Sequence, residues 1–278
     1  MVLERLTDYQ LMRKSWRRVF SFGFFVNVVS LVAAGSVFEP AAGLVSLFFV
    51  SAVAFPLVNK MFEVEESVDV NGGTDFFGRH TEVLKIYSSF FAGVLLSTTA
   101  VYFSMDQTSA NAVFGFQLSA LKSSAIADRV TGASFSPEIF DAVLGNNLKV
   151  AAVSFLLSVI FGAAAVFVIA WNASVIAVFV GILTKSSVVA FSGLGLAAAP
   201  VAFFYGLATS VGTIALHGVP EIMSYFVAAL AGGIISVGME KEKLNSGRFG
   251  RVVKDGALLF ALAVLLIFVA AAVESYSY

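Results

Sequence analysis

The chain has 278 residues, of which 59% are hydrophobic, and its 17 basic and 18 acidic residues sum to a net charge of −1. This charged share is about half that of an average soluble domain, and no long basic stripe is present, which argues against nucleic-acid binding. The chain contains no cysteine, so disulfides, thiolate catalysis and cysteine-ligated metal sites are excluded.

The charges are confined to a few short stretches separated by long apolar runs. These runs are about 20 residues long, the length of helix that crosses the ~30 Å hydrocarbon layer of a bilayer. We therefore predict an all-α, polytopic transmembrane bundle in the cell membrane, with about seven spans and one re-entrant or broken-helix segment. The predicted spans are 19–38, 41–59, 86–104, 147–170, 197–217, 219–239 and 254–273.

Two polar segments in the first part of the chain are predicted to face the cytoplasm. Residues 1–18 carry five basic side chains and are predicted to form an amphipathic cytoplasmic segment. Residues 19–104 then contain the first three spans, with an acidic cytoplasmic loop at 60–85.

Residues 105–146 are predicted to form an external amphipathic helical cap. Phe114, Leu118, Leu121 and Ala125 recur at helical spacing, as in a helix that lies along a membrane surface. Ser136-Pro137 then has the residues that favour a helix start, and Gly145 is the predicted end of that helix.

The apolar stretch 172–196 lies within a predicted membrane core at 147–239 and is interrupted by Lys185. Basic residues in short loops favour the cytoplasm, and the two basic clusters are the N-terminus and residues 240–255. Both clusters can face inward only if 172–196 makes no net crossing, so we predict a re-entrant or paired half-helix segment there. A single crossing is the alternative. Residues 240–278 then form a basic cytoplasmic loop and a last span, which leaves the C-terminus outside.

Lys185 and Glu221 are the charged residues that this assignment leaves inside apolar sequence. Glu221 follows His217-Gly218-Val219-Pro220, a sequence predicted to close one span and open the next, with Pro220 at the first position of the new helix. The His217/Glu221 pair could stabilise a polar hairpin between two spans. Alternatively, it could respond to protons, contact an ion or substrate, or bind a partner. No metal site or cofactor is predicted.

Lys185 and several asparagines complete the candidate polar core. Lys185 could reach water from the end of a half-helix, or it could pair with Glu221 inside the bundle. Asn146 and Asn147 begin the fourth predicted span and Asn172 follows it. Asparagine in a membrane helix usually bonds a neighbouring helix, which is the default prediction for Asn172 and for Asn27 in the first span.

Residues 136–239 resemble the stage II sporulation protein M family. The resemblance is carried by Asn146-Asn147 before a span, by Asn172 followed by glycine-spaced apolar sequence, and by His217-Gly218-Val219-Pro220-Glu221 opening a late span. Ala173 departs from the pattern, in which glycine often follows the asparagine. In spore formers the family name belongs to a membrane component that positions cell-wall hydrolases, and many relatives occur in organisms without spores.

The sequence thus predicts a non-enzymatic membrane scaffold or complex subunit. Its expected partners are the lipid bilayer and other membrane proteins, with a homo-oligomer as one candidate assembly. The alternative is a channel or transporter that uses a broken helix and the His217/Glu221 pair.

Overall fold

A computed structural model of the chain describes residues 8–71, 80–123, 136–194 and 199–276. Every regular element in these ranges is helical, which confirms the all-α prediction. The α-helices are α1 (Tyr9–Met12), α2 (Trp16–Gly35), α3 (Ala42–Asn71), α4 (Thr81–Ser104), α5 (Gln107–Val113), α6 (Gly115–Ser123), α7 (Pro137–Phe161), α8 (Val166–Phe191), α9 (Ala199–Lys241) and α10 (Gly247–Tyr276). Short 3-10 helices follow α7 (Gly162–Ala165) and α8 (Ser192–Leu194).

Six helical stretches of the described chain are long and apolar enough to cross a membrane. They are Trp16–Gly35, Ala42–Ser67, Thr81–Ser104, Pro137–Phe191, Gly218–Lys241 and Gly247–Tyr276. The chain is therefore a multi-pass membrane protein. The stretch Pro137–Phe191 is 55 residues long, and it contains two helices joined by a 3-10 turn.

The chain reverses direction at that turn. Gly162 has a φ of 60°, a left-handed value that favours glycine. Before the turn, α7 runs parallel to the later part of α9, because Asn147 contacts Tyr225 and, further along both helices, Phe155 contacts Gly232.

After the turn, α8 pairs with the beginning of α9 as an antiparallel hairpin. The rings of Phe191 and Tyr205 are 5.6 Å apart, and a Cβ on Gly206 would lie 2.8 Å from the Cα of Thr184. These contacts flank a short connection, as in two antiparallel helices joined by a loop. Since α7 runs with α9 and α8 runs against it, α7 and α8 are antiparallel.

Two predictions about this region are therefore wrong. The predicted span 147–170 is broken at Gly162, and the predicted break at 172–196 does not occur in α8, which is continuous through Asn172 and Lys185. The reason is that α8 begins at Val166, earlier than predicted. Its 26 residues are long enough to cross, and Lys185 lies only six residues before its end.

The predicted hairpin at His217–Glu221 is also absent. A single helix of 43 residues, α9, replaces the predicted spans 197–217 and 219–239, with Pro220 inside it. Proline is tolerated within membrane helices, where neighbouring helices can satisfy the freed backbone groups. The prediction failed because the same proline is also favourable at a helix start.

The polar segments outside the core differ in helix content from their predictions. The acidic stretch 60–85 begins as a continuation of α3, which extends to Asn71, while residues 72–79 lie outside the described chain. Residues 1–7 also lie outside it, and the N-terminal helix is interrupted at Ser15. Ser136 caps α7 as predicted, accepting from the backbone nitrogen of Ile139 at 3.3 Å, but α7 continues past Gly145.

The cap helices α5 and α6 pack against the bundle. Asp106 caps α5, and its hydrogen bonds from the Ser109 hydroxyl and backbone hold the pKa of Asp106 below its ordinary value. Phe114, between the two helices, is fully buried with its ring 5.6 Å from that of Tyr102 in α4. Leu118 also faces the bundle, whereas Ala125 lies outside the described residues.

Candidate functional site

Glu221 and Tyr225 lie one turn apart on α9, where positions four residues apart share one face. The hydroxyl oxygen of Tyr225 is 2.7 Å from Oε1 of Glu221. Tyr225 is only 1% exposed, whereas Glu221 is partly exposed, so the contact is covered on the Tyr225 side.

The neighbouring helix α7 contributes two amides at the same level. Oδ1 of Asn147 is 3.0 Å from the Tyr225 hydroxyl oxygen and accepts from Nδ2 of Asn146 at 3.2 Å. Asn147 is 2% exposed and lies near the middle of α7. The side chain of Asn147 is therefore covered by the neighbouring helices.

Helix α10 brings a second carboxyl group to this place. Glu274 is 3% exposed and lies close enough to Glu221 and Tyr225 to interact with them electrostatically. Among the described residues, no Lys or Arg forms an ion pair with Glu221 or Glu274. We define Asn147, Glu221, Tyr225 and Glu274 as the α7–α9–α10 cluster.

Two carboxyl groups that form no ion pair with a described Lys or Arg are unusual in a membrane bundle. Ionised side chains are costly there, and those that occur usually pair with each other or with backbone groups, or face a cavity. No group of three or more His, Asp or Glu residues in the described chain could hold a metal ion. The cluster offers carboxyl, phenol and amide groups, which suit proton and hydrogen-bond chemistry.

The structure brings together only part of the predicted site. Asn146, Asn147 and Glu221 meet at the cluster. Gly218 is buried one turn earlier on α9, and a Cβ there would lie 2.5 Å from Cγ2 of Ile214. His217 belongs to α9, but its side chain lies outside the described part of the chain.

Asn172 and Lys185 lie elsewhere. Nδ2 of Asn172 donates to the Val168 carbonyl of its own helix at 2.8 Å, so it does not bridge helices as predicted. Nζ of Lys185 donates to the Met105 carbonyl at 2.6 Å, and the pairing with Glu221 is not formed. Asn27 does bridge helices, because its Nδ2 donates to the hydroxyl oxygens of Ser97 and Thr98 at 2.8 Å.

Sequence reasoning missed Tyr225 and Glu274. A signal existed for Tyr225, because it is four residues after Glu221 and shares its helix face. Glu274 was missed because the predicted last span ended at residue 273, one position too early, so this carboxyl group was assigned to the exterior.

A second polar cluster lies at the end of the bundle that carries the basic residues. Nδ1 of His80 is 3.1 Å from Oε2 of Glu65, and Nζ of Lys241 is 3.8 Å from Oε2 of Glu66. Burial, together with the Glu82 carboxylate, raises the pKa of Tyr9 to about 12, so this phenol stays neutral. The sequence placed Glu65, Glu66 and His80 in a cytoplasmic loop, but all three are buried.

Comparison with known families identifies the chain. The family model for stage II sporulation protein M matches residues 86–277, more than two thirds of the sequence. The chain belongs to the stage II sporulation protein M family. The match is wider than residues 136–239, where the resemblance was first noted, and it covers every member of the α7–α9–α10 cluster. Searches of curated proteins and of solved structures found no match.

Proposed function

We propose that this member of the stage II sporulation protein M family is a non-enzymatic membrane scaffold or a subunit of a membrane complex. The observation that carries the proposal is the packing of the later part of α9, which lies at the centre of the bundle. The stretch Gly218–Lys241 is the most buried of the six apolar stretches. It contacts α7 at Gly232, α3 at Gly233, α10 at Gly238 and α4 at Phe226, so it acts as a fixed core for the helices around it.

Glycine residues allow the helices to pack in close contact. A Cβ on Gly232 would collide with the Phe155 carbonyl oxygen, and one on Gly233 would collide with the ring of Phe62. Between α2 and α4, a Cβ on Gly93 would collide with the carbonyl oxygen of Phe20. Such close contacts support a static role, because helices that rock or slide in a transport cycle must leave these positions.

A channel or transporter is the second candidate. This alternative partly rested on a predicted break at 172–196, but α8 is continuous there. The side chain of His217, on which it also rested, lies outside the described chain. The observation in its favour is the pair of carboxyl groups in the cluster, the partly exposed Glu221 and the buried Glu274, since ionisable groups within a bundle often mark ion pathways.

Crosslinking from defined surfaces tests the scaffold proposal. Photoreactive residues are placed at Phe116 on the cap and at Leu244 between α9 and α10, both exposed, with exposed Leu265 of α10 as the apolar control. We expect position 116 or 244 to capture one defined protein, or a second copy of the chain, in native membranes. Position 265 should capture lipid.

The contrary outcome is specific. If positions 116 and 244 capture no protein, and the purified chain in liposomes conducts an ion flux that Glu221→Gln abolishes, the scaffold proposal fails and the transport role replaces it. A scaffold should assemble normally with Glu221→Gln.

A further inference from the structure

The Tyr225 hydroxyl lies between two oxygen atoms but carries only one proton. Its neighbours are Oε1 of Glu221 at 2.7 Å and Oδ1 of Asn147 at 3.0 Å. The same Asn147 atom also accepts from Nδ2 of Asn146, so it acts as an acceptor toward both of its neighbours. The Tyr225 proton then belongs to Asn147, and the proton between Tyr225 and Glu221 must come from Glu221 as a carboxylic acid.

The remaining amide atom of Asn147 disfavours a metal ion at this place. Its Nδ2 is buried and has no hydrogen-bond partner of good geometry among the described residues. The amide faces the carboxyl group of Glu221. An N–H group repels a metal cation and donates to carboxyl oxygens, so a proton fits this place better than a metal ion.

Among the side chains that the structure describes, the other groups around Glu221 do not supply a positive charge. The titratable groups that face it in the described chain are Tyr225 on its own helix and Glu274 on α10, and α7 presents only the neutral amides of Asn146 and Asn147. Two ionised carboxylates would repel each other in a low-dielectric interior. Shared protonation relieves that repulsion, as in other close carboxyl pairs.

We propose that Glu221 and Glu274 form an intramembrane proton-binding site, in which Glu221 carries the proton at neutral pH and donates it to the Tyr225 hydroxyl. Tyr225 donates in turn to Asn147, which joins α9 to α7, while Glu274 joins the site from α10. The protonation state of the pair therefore affects how these three helices pack. The proposal is independent of the scaffold role, because a scaffold and a transporter could both use such a site.

Infrared spectroscopy of the full chain in lipid bilayers tests the proposal directly. A protonated carboxyl group has a carbonyl stretching band that an ionised one lacks and that shifts in D2O. We expect this band at neutral pH in the wild type, its loss in Glu221→Gln, and no change in the control Asp141→Asn, an exposed position on α7. Tyr225→Phe should shift the band, because it removes the acceptor of the proton.

Removal of the second carboxyl group gives a further expectation. Glu274→Gln takes away the charge that opposes ionisation of Glu221, so the Glu221 band should titrate away at a lower pH than in the wild type. Glu221→Gln should melt at the wild-type temperature or higher, because a neutral amide replaces a neutral acid.

Several outcomes would overturn the proposal. One is a wild-type spectrum without a protonated carboxyl band, or with a band that Glu221→Gln leaves unchanged. Another is a band that disappears when NaCl replaces choline chloride at constant pH, which would assign the site to an alkali cation. A large fall in the melting temperature of Glu221→Gln would identify Glu221 as an ionised, paired carboxylate.

Discussion

Lys185 shows how a single charged side chain is accommodated near the end of a membrane helix. Its Nζ donates to the Met105 carbonyl at 2.6 Å and lies 4.7 Å from the centre of the Tyr102 ring. The carbonyl accepts a charge-assisted hydrogen bond and the ring offers its negative face. Since Met105 immediately precedes the cap helices, this hydrogen bond connects α8 to the cap.

Replacement of Lys185 should loosen the cap. Lys185→Met keeps an unbranched apolar chain but removes the donor, and hydrogen bonds to charged groups contribute about 1.5–3 kcal/mol. We expect faster hydrogen exchange in α5 and α6, measured by mass spectrometry. The control is Lys149→Met, an exposed position on α7. Equal exchange in the two variants would show that Lys185 does not hold the cap.

At the scale of single residues, the sequence identified charges well and their partners poorly. Glu221 was found because an acidic residue in apolar sequence is rare. Tyr225 and Asn147 became its neighbours only through the register of α7 against α9, which no local pattern contains. Lys185 was recognised for the same reason as Glu221, but its partner is a backbone carbonyl, which leaves no mark in the sequence.

Between helices, small residues decide how closely the backbones approach. Gly93 on α4 packs directly against α2, where an added Cβ would collide with the Phe20 carbonyl oxygen and lie 2.8 Å from the Phe24 nitrogen. Both contacts are backbone atoms, which cannot rotate away as a side chain can. The α2–α4 pair therefore has no room for a methyl group at this position.

A pair of alanine substitutions tests this close approach. Gly93→Ala should destabilise the protein by about 1–3 kcal/mol, the usual effect of overpacking, and lower its melting temperature in detergent. Gly145→Ala is the matched control, because it also lies in a membrane helix but has no atom within 4 Å of the added Cβ. It should be neutral or stabilising by up to about 1 kcal/mol, since alanine favours helix more than glycine does. Similar melting temperatures for both variants would contradict the α2–α4 packing.

The existence of the helices was more predictable than their ends. Apolar runs of about 20 residues identified most spans, because length and hydropathy alone determine whether a helix can cross. The helix ends were predicted wrongly at Gly162 and Pro220, because glycine and proline can each lie within a helix or at a helix boundary. Gly162 reverses the chain inside an apolar run, whereas Pro220 continues a helix where a start was expected.

Across the whole molecule, the two basic clusters lie at the same end of the bundle. Arg13 pairs with Glu82 at 2.9 Å, and Lys241 lies 3.8 Å from Glu66. The opposite end carries the cap and the contact in which the Ser136 nitrogen donates to the Ser275 carbonyl at 3.2 Å. The sequence analysis also placed both basic clusters on one side, but it did so by predicting that residues 172–196 do not cross the membrane. In the structure, α8 and α9 each run through the bundle once, which brings the chain back to the same end.

The positive-inside rule then predicts which end faces the cytoplasm. Because the chain contains no cysteine, single cysteines can report each position separately. The variants are Gln10→Cys and Asn245→Cys at the basic end and Thr108→Cys at the cap, all at exposed positions. In intact cells, an impermeant thiol reagent should label position 108 at once and positions 10 and 245 only after the membrane is permeabilised. External labelling of position 245 but not position 10 would place the two basic clusters on opposite sides and contradict the bundle, whereas labelling of both from outside would keep the bundle and reverse its orientation.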